Sequence, residues 1–543
     1  MSQGKAKGNV DLRLWNAARH SPYRPRSVRR MLCVFPRYAP SFGTFQYAYP
    51  LMPGVQAFMP PQGLLVMAAY LPAEWEVRFV DENIREATDR DYQWADAVLI
   101  SGMHVQRADI NAINRAAHRH DTVTVLGGPS VSGCPEYYPD VDILHIGELG
   151  DATDALIECL DKDPGRPRSQ RRFETSERLA LDRFPIPAYD LIDLRRYFLA
   201  SVQFSSGCPY LCEFCDIPEL YGRRPRLKPA EQIVAELDAV VAGGANGAVY
   251  FVDDNFIGNR KAARELLPHL VDWQRSRGYP VEFACEATLN ISQQHELLGM
   301  MRQANFRTVF CGIETPEPEA LQAMHKEHNL RTPITEAVRT LNGYGMEVVA
   351  GIILGLDTDT AQTPERVLAF IEESKIPMLT INLLYALPRT PLYRRLEAAG
   401  RLTDASSRAS NVIFELPYEQ VMSMWTRCVS GAYTPEKLLE RFAHQTEATF
   451  PNWLDAPRRV TRAQAVFGMR VFARVLWQVG ALGDYRRAFW ELARPLLRRG
   501  RIEELIHIGL VSHHLIRFAS ETVRGNGEAC FYADPNQSPY PTT

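Results

Sequence analysis

A chain of 543 residues has room for two to four domains, and 46% apolar residues is enough to give each a real core. Its formal charge of −3 supplies no global basic field, so nucleic acid is not an expected partner. No apolar run is long enough to span a bilayer and the basic N-terminus lacks the apolar core of a signal peptide. Ten cysteines, three clustered and seven scattered, suit a reducing compartment with one metal site rather than a disulfide scaffold; the cytoplasm is the expected location.

Residues 1–30 are polar and rich in Arg and turn formers, and are expected to form a poorly ordered arm. From 31 to 160, short apolar runs alternate with helical stretches. MLCVFP (31–36), EVRFVDE (76–82), DAVLISG (96–102), TVTVLGG (122–128) and DILHIGE (142–148) read as buried strands. The alternation implies right-handed crossovers and a parallel, doubly wound sheet. Ligands of such sheets lie beyond the strand carboxyl ends, here Ser101, Gly102, Gly127, Gly128 and Gly147. Residues 161–200, with charge, Pro and Gly, read as a linker. A second alternation over 201–400 supplies six strands and predicts a partial (β/α)6 barrel, so the fold class is α/β. Residues 401–525 read as a helical domain and 526–543 as a tail.

The densest chemistry is Cys208-Pro-Tyr-Leu-Cys212-Glu-Phe-Cys215, directly after the first barrel strand. Three thiolates spaced CxxxCxxC can bind three irons of a cubane and leave the fourth open. A zinc knuckle would want a fourth ligand nearby; Asp216 is a poor one. Asp253 and Asp254 end the second barrel strand, Glu286 follows the third, and Glu314 ends the fourth. Gly351 and Gly355 bracket a GxIxG pattern in the fifth. No Ser/His/Asp triad or carboxylate pair marks a protein acid or base, so no side chain is assigned as catalytic. His104 and His145 read as packing histidines. Cys33, Cys134, Cys159 and Cys530 read as structural, and Cys285, Cys311 and Cys428 as buried small hydrophobes.

The cysteine motif and the strand ends behind it resemble the radical S-adenosylmethionine (SAM) superfamily. That resemblance implies a [4Fe–4S] cluster on Cys208, Cys212 and Cys215, with Phe214 at the family's aromatic position. It places the SAM ammonium at Asp253 and Asp254, the ribose at Glu314, and adenine against Gly351 and Gly355. The preceding domain resembles flavodoxin-like cobalamin-binding domains: Ser101 stands at their SxL position and Gly127-Gly128 at their GG position. The DxHxxG that carries a cobalt-ligating histidine is missing, so base-off cobalamin without a protein imidazole is implied.

Together these domains resemble the cobalamin-dependent radical SAM class. The stretches FPRYAPSFGTFQYAYP, MPPQGLLVMAAYLP, VSGMHVQR, GELGDATDAL and SSGCPYLCEFCDIPELYGRRPR look most like bacterial hopanoid C-2 methylases. The likeness implies methyl transfer to an unactivated carbon, C-2 of the A ring of an apolar triterpenoid. It also implies an electron donor such as ferredoxin or flavodoxin. The alternative is a cyclase or methylase acting on a tetrapyrrole or another secondary metabolite. A cobalamin sensor has no use for an open iron, and a tRNA methylthiotransferase would carry a basic β-barrel at its C-terminus. Between 456 and 524 there are thirteen Arg, no Lys and five acidic residues among apolar stretches, a composition compatible with peripheral contact with a membrane face.

Overall fold

The computed structural model describes residues 20–245, 247–403, 408–458 and 461–526. Its first layer is a six-stranded, all-parallel sheet of β1 (Arg30–Phe35), β2 (Glu76–Asp81), β3 (Ala97–Ser101), β4 (Val123–Gly127), β5 (Ile143–Ile146) and β6 (Arg171–Glu174), in the order β2-β1-β3-β4-β5-β6. Its central strands are apolar on both faces because helices cover both: Met31, Cys33 and Leu99 pack on one side, Leu32, Val34 and Val98 on the other. The chain leaves β1 for β2 and returns to β3 on the far side of β1. The loops after β1 and β3 therefore diverge and open a crevice at their carboxyl ends.

Two expectations are corrected at the borders of this domain. Residues 161–200 are more than a linker, since they supply β6, which pairs in parallel with β5 from Ile143↔Arg171 to Ile146↔Glu174. The expected arm of residues 1–30 lies outside the described residues up to 19, but its last part is pinned. Tyr23 Oη donates to Asp161 at 2.9 Å, Arg26 N to the same carboxylate at 2.8 Å, and Ser21 Oγ to Asp154 at 2.7 Å. The acidic face of the helix Asp151–Lys162 supplies these acceptors, a complementarity between distant segments that local composition does not reveal.

The second sheet contains β7 (Ala200–Val202), β10 (Gly247–Phe251), β11 (Val281–Glu286), β12 (Phe306–Glu314), β13 (Glu347–Leu354) and β14 (Met378–Leu383). They pair in parallel in chain order, and β7 and β14 remain unpaired to each other, so the barrel is partial. Between β7 and β10 a two-residue antiparallel pair, β8 (Ser205–Ser206) and β9 (Arg226–Leu227), brackets the cysteine loop. The helices Tyr418–Ala432, Pro435–Ala448, Arg462–Val475, Arg486–Arg498 and Ile502–Glu521 form the C-terminal layer. They are keyed to the barrel by polar contacts: Trp425 Nε1 donates to Ile381 O at 2.9 Å, and His507 Nε2 meets Glu347 Oε2 at 2.8 Å. Among the described residues no helix is long and apolar enough to cross a membrane.

The loop after β1 ties all three layers together. Phe42 stacks on Tyr433 at 5.1 Å and meets Phe518 edge-on at 4.7 Å, while His514 Nε2 contacts Phe42 O at 3.1 Å. The segment FPRYAPSFGTFQYAYP thus carries aromatic anchors where the sequence lacks a histidine motif.

Candidate active site

The cysteine loop is built to hold one shape. Gly207 has φ +102°, and a Cβ there would sit 2.8 Å from Gly222 O, so only glycine can start the loop. Cys208 N then donates to Gly222 O at 3.2 Å and Cys215 N to Cys212 O at 3.1 Å. Glu213 N donates to Met324 O at 3.1 Å and its carboxylate pairs with Arg395, which ties the loop's middle to the far side of the barrel. The three thiols are half-buried and free of disulfides, and burial raises the pKa of each. A metal that binds the thiolates must displace those protons. Among the described residues no three His, Cys, Asp or Glu side chains gather as around one ion; thiolates that take different corners of a cubane are spread wider than that.

The Asp pair ending β10 does something the sequence does not announce. Asp253 is 1% exposed and accepts from the backbone N–H groups of Phe204 and Ser205. Asp254 accepts from Gly207 N at 2.6 Å. Both carboxylates therefore clamp the strand that launches the cysteine loop, and on Asp253 each oxygen already accepts one backbone N–H. Burial pushes Asp253 up to about 7 and Asp254 to about 6. The carboxylate with spare capacity is Glu286 at the end of β11. Its one hydrogen bond among the described contacts is a long 3.4 Å one from Tyr250 Oη, and burial, with Asp254 next, raises it to about 7. A half-buried carboxylate so poorly partnered suits a cation.

Glu314, at the end of β12 with φ +66°, is 6% exposed and paired with Lys326. Burial opposes the charge on Lys326, but Glu314, with Cys212 next, outweighs it and keeps the ammonium. That ammonium lies 5.5 Å from the Phe214 ring centroid. Gly312 makes the pairing possible, since a Cβ there would collide with both partners, and a Cβ at Gly351 would lie 3.6 Å from Glu314. Gly355 is different: the Phe414 ring fills the space its side chain would take, so it opens no room for a ligand. Tyr210, inside the cysteine loop, is stacked on His328 at 4.0 Å and accepts from Asn290 Nδ2 at 2.7 Å. His328 Nε2 and Asn329 Oδ1 are buried beside it without partners among the described atoms. Sequence reasoning flagged neither the spare acceptor capacity of Glu286 nor Lys326 nor Tyr210. Lys326 follows Glu314 by twelve residues in an irregular loop, and no periodicity flags it.

Beside this cluster lies the crevice of the first sheet. Gly128, at φ +92°, lets Ser101 Oγ and the Gly102 backbone close against it, so Ser101, Gly127 and Gly128 form one ledge of backbone at the carboxyl ends of β3 and β4. A Cβ at Gly127 would meet His145 at an ordinary contact distance of 3.9 Å. A flat ligand lying against backbone fits such a ledge. His104 Nδ1 is engaged by Ser130 Oγ at 3.1 Å, and its Nε2 abuts Gly133, so this buried ring is spent on packing; burial lowers it to about 4. His145 Nε2 is likewise held by Thr153 Oγ1 at 2.8 Å. The segment GELGDATDAL has a physical job: Glu148 pairs with Arg226 and Arg178 and accepts from Ser206 Oγ at 3.2 Å, which bolts the end of β5 to the base of the cysteine loop.

Residues 202–371 match the Radical SAM superfamily model, and residues 390–528 match a model described as a domain of unknown function. A hopanoid C-2 methylase of Rhodopseudomonas palustris is 58% identical over 510 residues, covering 94% of this chain and 97% of that protein. An uncharacterized methyltransferase of Synechocystis sp. is 34% identical over 495 residues, 89% of this chain and 90% of its own. The solved radical SAM methyltransferase TsrM of Kitasatospora setae, with cobalamin and a [4Fe–4S] cluster bound, superposes with a TM-score of 0.55 at 16% identity. It matches 88% of this chain and all of its own, and shows that the fold is shared.

Proposed function

The chain belongs to the radical SAM methyltransferase family that includes the hopanoid C-2 methylase, and from that premise we propose that it methylates C-2 of the A ring of a hopanoid. The observation that carries the reading is 58% identity across nearly the whole of both proteins, including the aromatic loop after β1 and the C-terminal layer outside the radical SAM model. A tetrapyrrole substrate has no comparable support, since the bacteriochlorophyllide methyltransferases and magnesium-protoporphyrin ester cyclases it resembles are 20–24% identical over 40–63% of this chain.

Cys208, Cys212 and Cys215 would hold three irons of the cluster, and the ledge of Ser101, Gly127 and Gly128 would carry cobalamin. When bound, the cluster and SAM supply a hydrogen-abstracting radical and cobalamin supplies the methyl group. The chain's own residues do the positioning. Lys326, beside Cys212 and Phe214, would meet the SAM carboxylate. Glu286 would accept from its ammonium, Glu314 from its ribose hydroxyls, and Gly351 leaves adenine room beside Glu314. Asp253 and Asp254 act one step back by fixing the strand from which the cysteine loop springs. A ring carbon without an acidic proton needs no general base. The protein's further task is to exclude water, which the junction of Glu148, Arg178 and Arg226 serves by closing the two sheets onto one another.

Reduction of the cluster requires a small electron-transfer protein such as ferredoxin or flavodoxin. A substrate this apolar is met at a bilayer, so the reading includes peripheral contact with a membrane face. Lipid extraction from a hopanoid-making host with and without this gene tests the function. One added methyl group on ring A supports it; unchanged hopanoids beside a newly methylated tetrapyrrole would move the assignment to the other substrate class.

A further inference from the structure

The three most exposed large apolar side chains among the described residues lie within fourteen positions of one another: Met469 at 61%, Trp477 at 62% and Leu482 at 61%. They are aligned. Ala465, Met469, Ala473 and Trp477 follow at intervals of four along the helix Arg462–Val475 and the wide turn Leu476–Ala481, and all four are exposed. Intervals of four keep one face of a helix. The same helix spends its other faces inside the fold, with Val471 and Val475 in the core and Phe467 and Arg474 lining a groove of about 1000 Å³ against the loop 49–56. Its outer stripe is therefore surplus to folding.

The segment that carries the stripe is rich in positive charge. Residues 461–500 contain eight Arg, no Lys and two acidic residues. Among the described residues of this stretch the only ion pair is Arg487–Glu491 at 3.6 Å, on the surface. Arg470, Arg486 and Arg494 are exposed and outside any ion pair, so their charge is not consumed within the fold. An apolar stripe crowned by a tryptophan and flanked by free guanidinium groups is complementary to a surface with an apolar interior and anionic headgroups. A second copy of the chain is a poor occupant, because a twofold contact through this face sets Arg against Arg.

We propose that the face of Met469, Trp477 and Leu482, with Arg470, Arg486 and Arg494 around it, docks the protein on an anionic lipid bilayer. It deepens the reading of the substrate as a membrane lipid and rests on that reading for its purpose, though not for its geometry. The side chains enter the interface while the helix lies parallel to it.

Vesicle co-sedimentation of the full-length, cluster-loaded protein tests this. The probes are phosphatidylcholine vesicles with and without phosphatidylglycerol, at low and high salt. Wild type should bind the anionic vesicles at least about tenfold better at low salt and lose that preference at high salt. The triple variant Met469→Ser, Trp477→Ser, Leu482→Ser should lose about tenfold or more of that binding. Arg470→Gln, Arg486→Gln, Arg494→Gln combined should abolish the anionic preference. Melting temperature and uncoupled SAM cleavage should hold in both, since the residues are outside the core and far from the cysteine loop in sequence. Equal binding of wild type to neutral and anionic vesicles, or wild-type binding by either variant, overturns the proposal. So does a variant that changes only oligomeric state. Hopanoid methylation by a protein that ignores vesicles would leave the functional reading standing and remove this one; binding without methylation does the reverse.

Discussion

Replacing Lys326 by Met keeps the length of the side chain and deletes its charge, which exposes how the site is built. Lys326 and Glu314 have side chains only 7% and 8% exposed, so the substitution strands a buried carboxylate. Leaving one member of a buried pair alone costs about 3–5 kcal/mol. The fold should therefore melt several degrees lower. A second loss is separate. If the ammonium meets the SAM carboxylate, removing a hydrogen bond to a charged group costs about 1.5–3 kcal/mol, or about tenfold to over a hundredfold in the SAM dissociation constant. Adding Glu314→Gln neutralises the stranded acid and should restore most of the melting temperature while SAM binding stays weak. Lys326→Arg, which keeps the charge, should retain part of the affinity. Calorimetric titration of SAM into anaerobically reconstituted protein, beside thermal melts, separates the two effects. A Lys326→Met protein that binds SAM within about twofold of the parent would refute the assignment of Lys326, whatever happens to its stability.

Other consequences are as concrete. Cys208→Ala, Cys212→Ala or Cys215→Ala should each bind far less than the roughly four irons of a cubane and form no 5′-deoxyadenosine; a variant that still cleaves SAM contradicts the cluster assignment. With His104 held by Ser130 and His145 by Thr153, bound cob(II)alamin should carry no histidine on cobalt, and nitrogen superhyperfine splitting from a protein imidazole in its paramagnetic resonance spectrum would overturn that. Burial pulls the His507 imidazolium down, but Glu347 at 2.8 Å outweighs it and holds its pKa above the usual 6.5. A raised folded pKa means the pair's stabilisation is complete below about pH 6.5 and fades as pH climbs through the folded value. Thermal melts should show that fall in wild type and lose it in Glu347→Gln.

The parallel sheets were legible because their strands are short, apolar on both faces and regularly spaced: TVFCGIE falls inside β12, and MEVVAGIILG spans all of β13 with one residue to spare at each end. The cysteines were legible because their ligand spacing is local. What escaped was tertiary. Asp253 and Asp254 carry the right chemistry at a strand end, yet the backbone of residues 204–207 reaches them first. Gly355 has the right pattern, but Phe414, nearly sixty residues on, fills its space. Lys326 and Glu286 become site candidates only when the loops after β11 and β12 come together around the cysteine loop. The pinned segment at 21–26 and the edge strand β6 were hidden for the same reason, since each depends on a partner far along the chain.

The most direct test of the central claim uses purified protein carrying its cluster and cobalamin, supplied with a reductant, SAM bearing a deuterated methyl group, and an unmethylated hopanoid. Transfer should place one deuterated methyl group on ring A at C-2, accompanied by 5′-deoxyadenosine, and a Cys212→Ala protein should give neither product. Recovery of 5′-deoxyadenosine with the hopanoid unchanged, while a tetrapyrrole offered in its place acquires the label, would contradict the account.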